Sequence, residues 1–422
     1  MFHSAAKLLR TTVAVARTNK APLLTPPLRF FNDRFNGPNA SPVALQMIDY
    51  ALSLAKSQKS DESYGQAMLV LEQCLSSQST EGLGIVTQNS KGMTLLAMSN
   101  LLFARESYDE AMEKLQTILD LEQSSLGVKV AAMEALVGLN LALGNDDSSS
   151  VLADKCLERW GNGEDADEFV NARAKAVKGL VELLQGNIES AVSLFQGFKD
   201  SEGCVGNAAL SFGEFLHATC NLSLAKDFYQ KVINEVPEKK DFTDMHSLSA
   251  CNMSSDEVLL ASICALGQLE AHMGKFNDAE ETLTKALNKA EQLFGSHHPN
   301  VGVVLTCLAL MFRHKAVQEH SSSLLIQEGL YRRALDLLKA PPLDSEGNTR
   351  MKFSRQDIMV LARGGYGEAL CVQQNRKNEG EKMKRWAEEA WGNRRISLAE
   401  ALKITESSNK LPVIDARICR VL

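Results

Sequence analysis

The chain's eight histidines, nine cysteines and several acidic clusters are its side chains best suited to chemistry, and their spacing argues against any. Cys74, Cys156, Cys204, Cys220, Cys251, Cys264, Cys307, Cys371 and Cys419 include no Cys-x-x-Cys pair and no twin Cys-x3-Cys or Cys-x9-Cys motif. An odd, scattered set of this kind predicts reduced thiols, most of them serving as small hydrophobes inside helices. His314 and His320 lie six apart and so fall on different faces of a helix, and no His-Glu-x-x-His motif occurs. Gly161-Asn162-Gly163-Glu164 comes nearest to a phosphate loop, but it lacks the downstream lysine and reads as a turn. There is no Gly-x-Ser-x-Gly elbow. The acidic stretches 144–150 and 161–168 lack the ligand order and closing glutamate of a calcium loop, so they read as solvated loops. The expectation is therefore a chain with no catalytic residue, no metal and no cofactor, which is to say not an enzyme.

What positions these side chains is helix. Apolar residues recur at i, i+3, i+4, i+7 between short polar breaks, and strand alternation is missing. With 422 residues, 45% hydrophobic and only 6% aromatic, the composition suits helices packed through small residues. The longest apolar run, 301–312, is too short to cross a bilayer, which takes about 20 residues, and is expected to be a buried helix. Net charge is -7, and without the five cations of segment 1–31 it becomes -12. An acidic body repels phosphate backbones, so no nucleic-acid partner is expected.

Segment 1–31 carries Lys7, Arg10, Arg17, Lys20 and Arg29 and no acid. Residues 2–17 can wind into a helix with Phe2, Ala6, Leu9 and Val13 on one stripe and the arginines on another. This is the pattern of a mitochondrial transit peptide, most simply for the matrix. Arg29-Phe30-Phe31-Asn32 resembles a plant-style processing site, with cleavage expected after Phe31. Residues 32–42 then form a linker.

A small residue followed by alanine twelve positions later recurs as Ala55/Ala67, Gly179/Ala191, Gly213/Ala225, Gly267/Ala279 and, in softer form, Ser99/Ala111. A bulky residue follows the alanine by four, as Leu71, Leu115, Phe195, Tyr229 and Leu283. Two helices joined by a short turn can cross closely only where side chains are small, and the bulky residue one turn on fills the gap beside the crossing. This pattern resembles the tetratricopeptide repeat, a helix–turn–helix unit of about 34 residues. The best match is 209–237, with Phe212, Gly213, Ala225, Tyr229 and Pro237 in place. Segment 266–339, with its GSHHPNV loop at 295–301, resembles the longer variety found in kinesin light chains. Its departures are an insertion around 315–322 and Gln327 in place of alanine, while a further pair at 361–391 would have Gly367 but Glu379 where alanine belongs.

The resemblance implies an all-α, right-handed α-solenoid of about seven to eight antiparallel helix pairs over 43–402, with a C-terminal tail at 403–422. The long stretch 237–256 could divide it into two sub-arrays. It also implies a non-catalytic scaffold or adaptor, one that could assist assembly of organellar complexes by holding another protein, a peptide or a helix, in a groove lined by the first helix of each pair. Positions one, four and five after the small residue would face that groove, which singles out Asn100, Phe103, Glu214, His217, Gln268, His272, Arg313 and His314. Leu96, Ala176, Leu210 and Cys264 stand where a carboxylate clamp would need lysine or arginine, so docking of chaperone tails is not expected. Two rivals are an RNA-binding factor of the pentatricopeptide type, disfavoured by ragged spacing and acidity, and an enzyme on a helical scaffold.

Overall fold

A computed structural model describes residues 39–422 apart from 79–83, 162–166, 236–241, 243–247, 321, 344–354 and 404–409. The expected transit segment, its cleavage point and most of the linker lie outside the described residues, as does most of the acidic stretch 161–168.

The described residues are helical almost throughout, and the helices come in eight consecutive pairs. These are α1 (Pro42–Gln58) with α2 (Asp61–Gln78), α3 (Ile85–Ala104) with α4 (Tyr108–Leu119), α5 (Leu126–Ala142) with α6 (Asp146–Trp160), and α7 (Glu168–Gln185) with α8 (Ile188–Leu194). They continue as α9 (Gly206–Ala218) with α10 (Leu222–Glu235), α11 (Ser255–His272) with α12 (Phe276–Phe294), α13 (Pro299–Gln318) with α14 (Leu324–Leu337), and α15 (Gln356–Cys371) with α16 (Lys377–Ala390). A short α17 (Leu398–Leu402) follows. The last residues form a small antiparallel ribbon, β1 (Ile414–Asp415) and β2 (Arg420–Val421), with Ile414 opposite Val421.

Local chemistry sets several boundaries. Asp167 starts α7 by accepting from the Phe169 and Val170 amides, at 2.9 and 3.3 Å. In the GSHHPNV loop, His298 Nδ1 accepts from the Asn300 amide at 3.1 Å and Pro299 takes the first helical position of α13. This capping role is what His298 does, and no metal is needed to explain it. Helix α13 is the one described helix long and apolar enough to cross a membrane, and 67% of its apolar window is buried inside the array, as a core helix would be.

The small-residue pattern works by direct contact. A methyl on Gly179 would stand 2.6 Å from the Phe195 ring, one on Gly213 2.9 Å from Tyr229, and one on Gly267 2.6 Å from Leu283. Each glycine thus makes the hollow that receives the bulky residue of its partner helix. In the last pair the register slips by one. The close approach is between Gly367 and Gly380, where a Gly367 methyl would come 2.8 Å from the Gly380 carbonyl oxygen, so Glu379 is free to pair with Arg376 at 2.9 Å. Gly267→Ala is expected to lower stability by about 1–3 kcal/mol through overpacking, despite a helix-propensity gain of at most about 1 kcal/mol. Gly65→Ala, on an open helix surface, should raise it by about 0.5–1 kcal/mol. Thermal melts of the two variants against the parent check the contrast.

Successive first helices also touch one another, α1 to α3, α3 to α5 and so on to α13 and α15, while each second helix packs chiefly against the first helices flanking it. The closer row lies on the inner side of a curve, so the first helices line a groove. In an open groove the inner faces of these helices would be wet. Instead, every residue of α9 from Ala208 to Ala218 is buried. Two further segments of the chain fill the space. The stretch 237–256, expected to divide the array, sends 248–253 back across α3 and α5, where Leu248, Ala250 and Cys251 join the core of the first three pairs. The second is 411–422, set apart as a tail on sequence, in which every residue is buried.

Candidate binding groove

The eight residues singled out as groove contacts fall into two groups. Asn100, Phe103, Glu214 and His217 are covered by or spent on the chain itself. The Asn100 side-chain oxygen accepts from the Cys251 amide, and the Phe103 ring packs on Tyr108 at 6.0 Å. Glu214 lies wholly buried and accepts from Arg417 at 2.5 Å. His217 Nδ1 is 3.2 Å from the Tyr229 hydroxyl, and its Nε2 is 2.8 Å from His272 Nδ1.

Gln268, His272, Arg313 and His314 come together. They line a pocket of about 310 Å³ whose remaining walls are mostly apolar, with Met311, Val317 and Leu402 among them, and the C-terminal segment closes one side with Pro412 and Ile414. His217, His272 and His314 stand in a row on α9, α11 and α13, with successive ring centres 4.9 and 6.4 Å apart. Burial holds all three imidazoles below their ordinary titration range, His272 at about 3 with the charge of His314 adding to the effect. The pair His217–His272 is joined by a hydrogen bond, and no group of three metal-ligating side chains occurs among the described residues. Nucleophile chemistry is likewise unsupported by the thiols. All nine cysteines are free, and burial raises the thiols of Cys264 and Cys307, with Cys307 at about 12.

The groove floor binds main chain. Gln268 grips Ile414 at both ends, donating Nε2–H to its carbonyl at 2.9 Å and accepting from its amide at 2.8 Å. Asn252 donates to the Arg417 carbonyl at 3.1 Å, and Arg395 donates to the carbonyls of Leu411 and Leu422.

Repeated helix hairpins, small-residue crossings and a groove filled by a short ribbon are now all in view, and residues 259–300 match the tetratricopeptide repeat family. The array around that repeat is tetratricopeptide-like. That match covers most of α11, all of α12 and the loop into the start of α13. The crystal structure of BtubC (BKLC) from P. vanneervenii is similar at 13% identity over 68% of this chain and 87% of that chain, with a TM-score of 0.31. Comparison with curated proteins gives no match.

Sequence reasoning missed three buried arginines that hold the C-terminal segment in this array. Arg417 is wholly buried and meets Glu214, Asp415, Ser211 and Asn207. Arg420 pairs with Asp357 and Asp146, both at 2.8 Å, so Asp146 of the acidic stretch 144–150 is an ion-pair partner and not a solvated residue. Arg395 is buried, and burial brings its guanidinium down to about 10. Arg376 is likewise engaged, with Glu328 and Glu379. No local pattern marks the pairs of Arg417 with Glu214 or of Arg420 with Asp357 and Asp146, because those partners lie far apart in the chain.

Proposed function

We propose that this chain is a non-catalytic scaffold that holds another protein and that it works in mitochondria. Tetratricopeptide repeats are in general protein-interaction scaffolds, and 259–300 is such a repeat. The observation that carries the reading is the pocket formed by Gln268, His272, Arg313 and His314 with Met311 and Val317, open beside a groove that already holds the ribbon of residues 411–422. Its depth suits one or two apolar side chains of a partner, and its rim carries the Arg313–Glu368 ion pair to orient polar ones. The cationic, acid-free segment 1–31 supports the mitochondrial address.

Photo-crosslinking from position 317 in isolated mitochondria tests the partner. Val317 is 62% exposed, so a crosslinker there need not disturb the fold. A discrete protein adduct that disappears when Met311→Arg puts a charge into the pocket is the expected result. Adducts no different from those at Leu69, on a remote surface, would end the reading. Import of the radiolabelled chain tests the address. Uptake into a protease-protected, shortened form is expected, and Arg10→Glu with Arg17→Glu should abolish it.

A further inference from the structure

The eight helix pairs are complete without residues 411–422, since each first helix already has its second. The segment is nonetheless held as a bound peptide is held, by three kinds of contact. Its main chain is read by Gln268 of the groove at Ile414, by Asn252 of the neighbouring segment 248–253 at Arg417, and by Asn393 of the loop after α16 at Val421. Its apolar residues Val413, Ile414, Ile418 and Val421 fill the space between the first helices. Its charges are matched individually. Arg417 enters a wholly buried site made by Glu214 and the segment's own Asp415, with Ser211 at 3.2 Å. Arg420 meets Asp357 and Asp146. Main-chain bonds supply affinity for any extended segment, whereas matched buried charges supply selectivity for one.

We propose that segment 411–422 is the resident ligand of this groove, recognised through its Asp415-Ala416-Arg417 pattern, and that any other polypeptide reaches Glu214 and Gln268 only by displacing it. This goes beyond the scaffold reading and needs no outside protein, so it can fail or succeed independently of the crosslinking result. It also gives a recognition rule. A competitor presents a short hairpin with an acid entering its turn and an arginine two residues on, flanked by β-branched side chains. A segment lacking the arginine leaves Glu214 buried without a counter-ion and is rejected.

The test uses the full chain with a protease site written into 404–409. After cleavage, the released segment is expected to stay with the array through gel filtration. A labelled synthetic peptide of residues 410–422 in excess should then replace it saturably, with the helical circular dichroism unchanged. The same peptide carrying Arg417→Ala should compete about a hundredfold or more weakly. In the cleaved chain, Glu214→Gln should reduce this discrimination between the two peptides. Three results would overturn the proposal. The cleaved segment could leave with no peptide able to return, its departure could cost the helical signal irreversibly, or the two peptides could compete equally.

Discussion

Arg417→Met lowers the stability of the array by about 3–5 kcal/mol, the cost of leaving two carboxylates buried with no cation between them. Glu214 and Asp415 both face this one guanidinium, and all three side chains are fully buried. Burial already pushes the Glu214 carboxyl well above its usual range, and Asp415 adds to that while Arg417 opposes it. Removing the arginine leaves the site to be neutralised by protonation or by opening. The companion variant decides whether charge is the cause. Arg417→Met combined with Glu214→Gln and Asp415→Asn removes the stranded charges, and most of the lost stability should return. Urea unfolding followed by circular dichroism measures both. A loss below about 1 kcal/mol for the single variant would mean that the cluster is open to water and the segment loosely seated.

Acid titrates a histidine row against the fold well before ordinary carboxylates titrate. Histidines 217, 272 and 314 stand in one row, His217 and His314 buried and His272 partly so, with Tyr229, Arg313 and Arg395 as their other ionisable neighbours. Their folded-state proton affinities are depressed, with His272 at about 3, while in the unfolded chain each titrates near 6.5. Between these values the unfolded state binds protons that the folded state refuses. Each histidine's contribution is therefore whole above about pH 6.5 and falls as pH drops toward 3. The unfolded imidazole is half protonated at pH 6.5, so His272 alone removes about 1.6 kcal/mol between pH 6.5 and 5. Glu257, which burial raises to about 8, and Glu214, which burial raises well above its usual range, act oppositely, because the folded state keeps protons there that the unfolded state gives up. The two kinds of group largely offset in the total, so the histidine share is read as a difference. Between pH 6.5 and 5.0, His272→Gln is expected to lose about 1.5 kcal/mol less stability than the parent, measured from melting curves at both pH values. Equal losses in the two chains would show that water reaches the histidine row.

The repeat was legible because its signal is local and geometric. Gly213, Ala225 and Tyr229 declare a crossing whichever proteins share it, and the hollow over Gly213 that takes the Tyr229 ring is the reason. Loss of the pattern at Glu379 reflected a register slip to Gly380, which a strict spacing rule cannot follow. Of the groove positions implied by the resemblance, Gln268, His272, Arg313 and His314 share a pocket, whereas Asn100, Phe103, Glu214 and His217 are covered by or bonded to the chain itself. What fills the groove was not readable. Ribbon strands as short as β1 and β2 carry almost no periodicity, and the bonds holding them join Arg417 to Glu214 and Arg420 to Asp146 across most of the array. One signal was present. Leu411-Pro412-Val413-Ile414 and Val421-Leu422 flank Asp415, Arg417 and Arg420, an unusual density of β-branched residues and charge for a free tail.

The account rests on the first helices presenting a groove that grips polypeptide, with the ribbon of residues 411–422 now in it. Amide hydrogen exchange of the intact chain tests this most directly, because the Ile414 amide bonds to Gln268 and the Leu422 amide to the Val413 carbonyl, both at 2.8 Å. Exchange of these amides about a thousandfold or more slower than in the free 410–422 peptide is the result the account predicts. Exchange at free-peptide rates while α9 and α11 stay protected would contradict it.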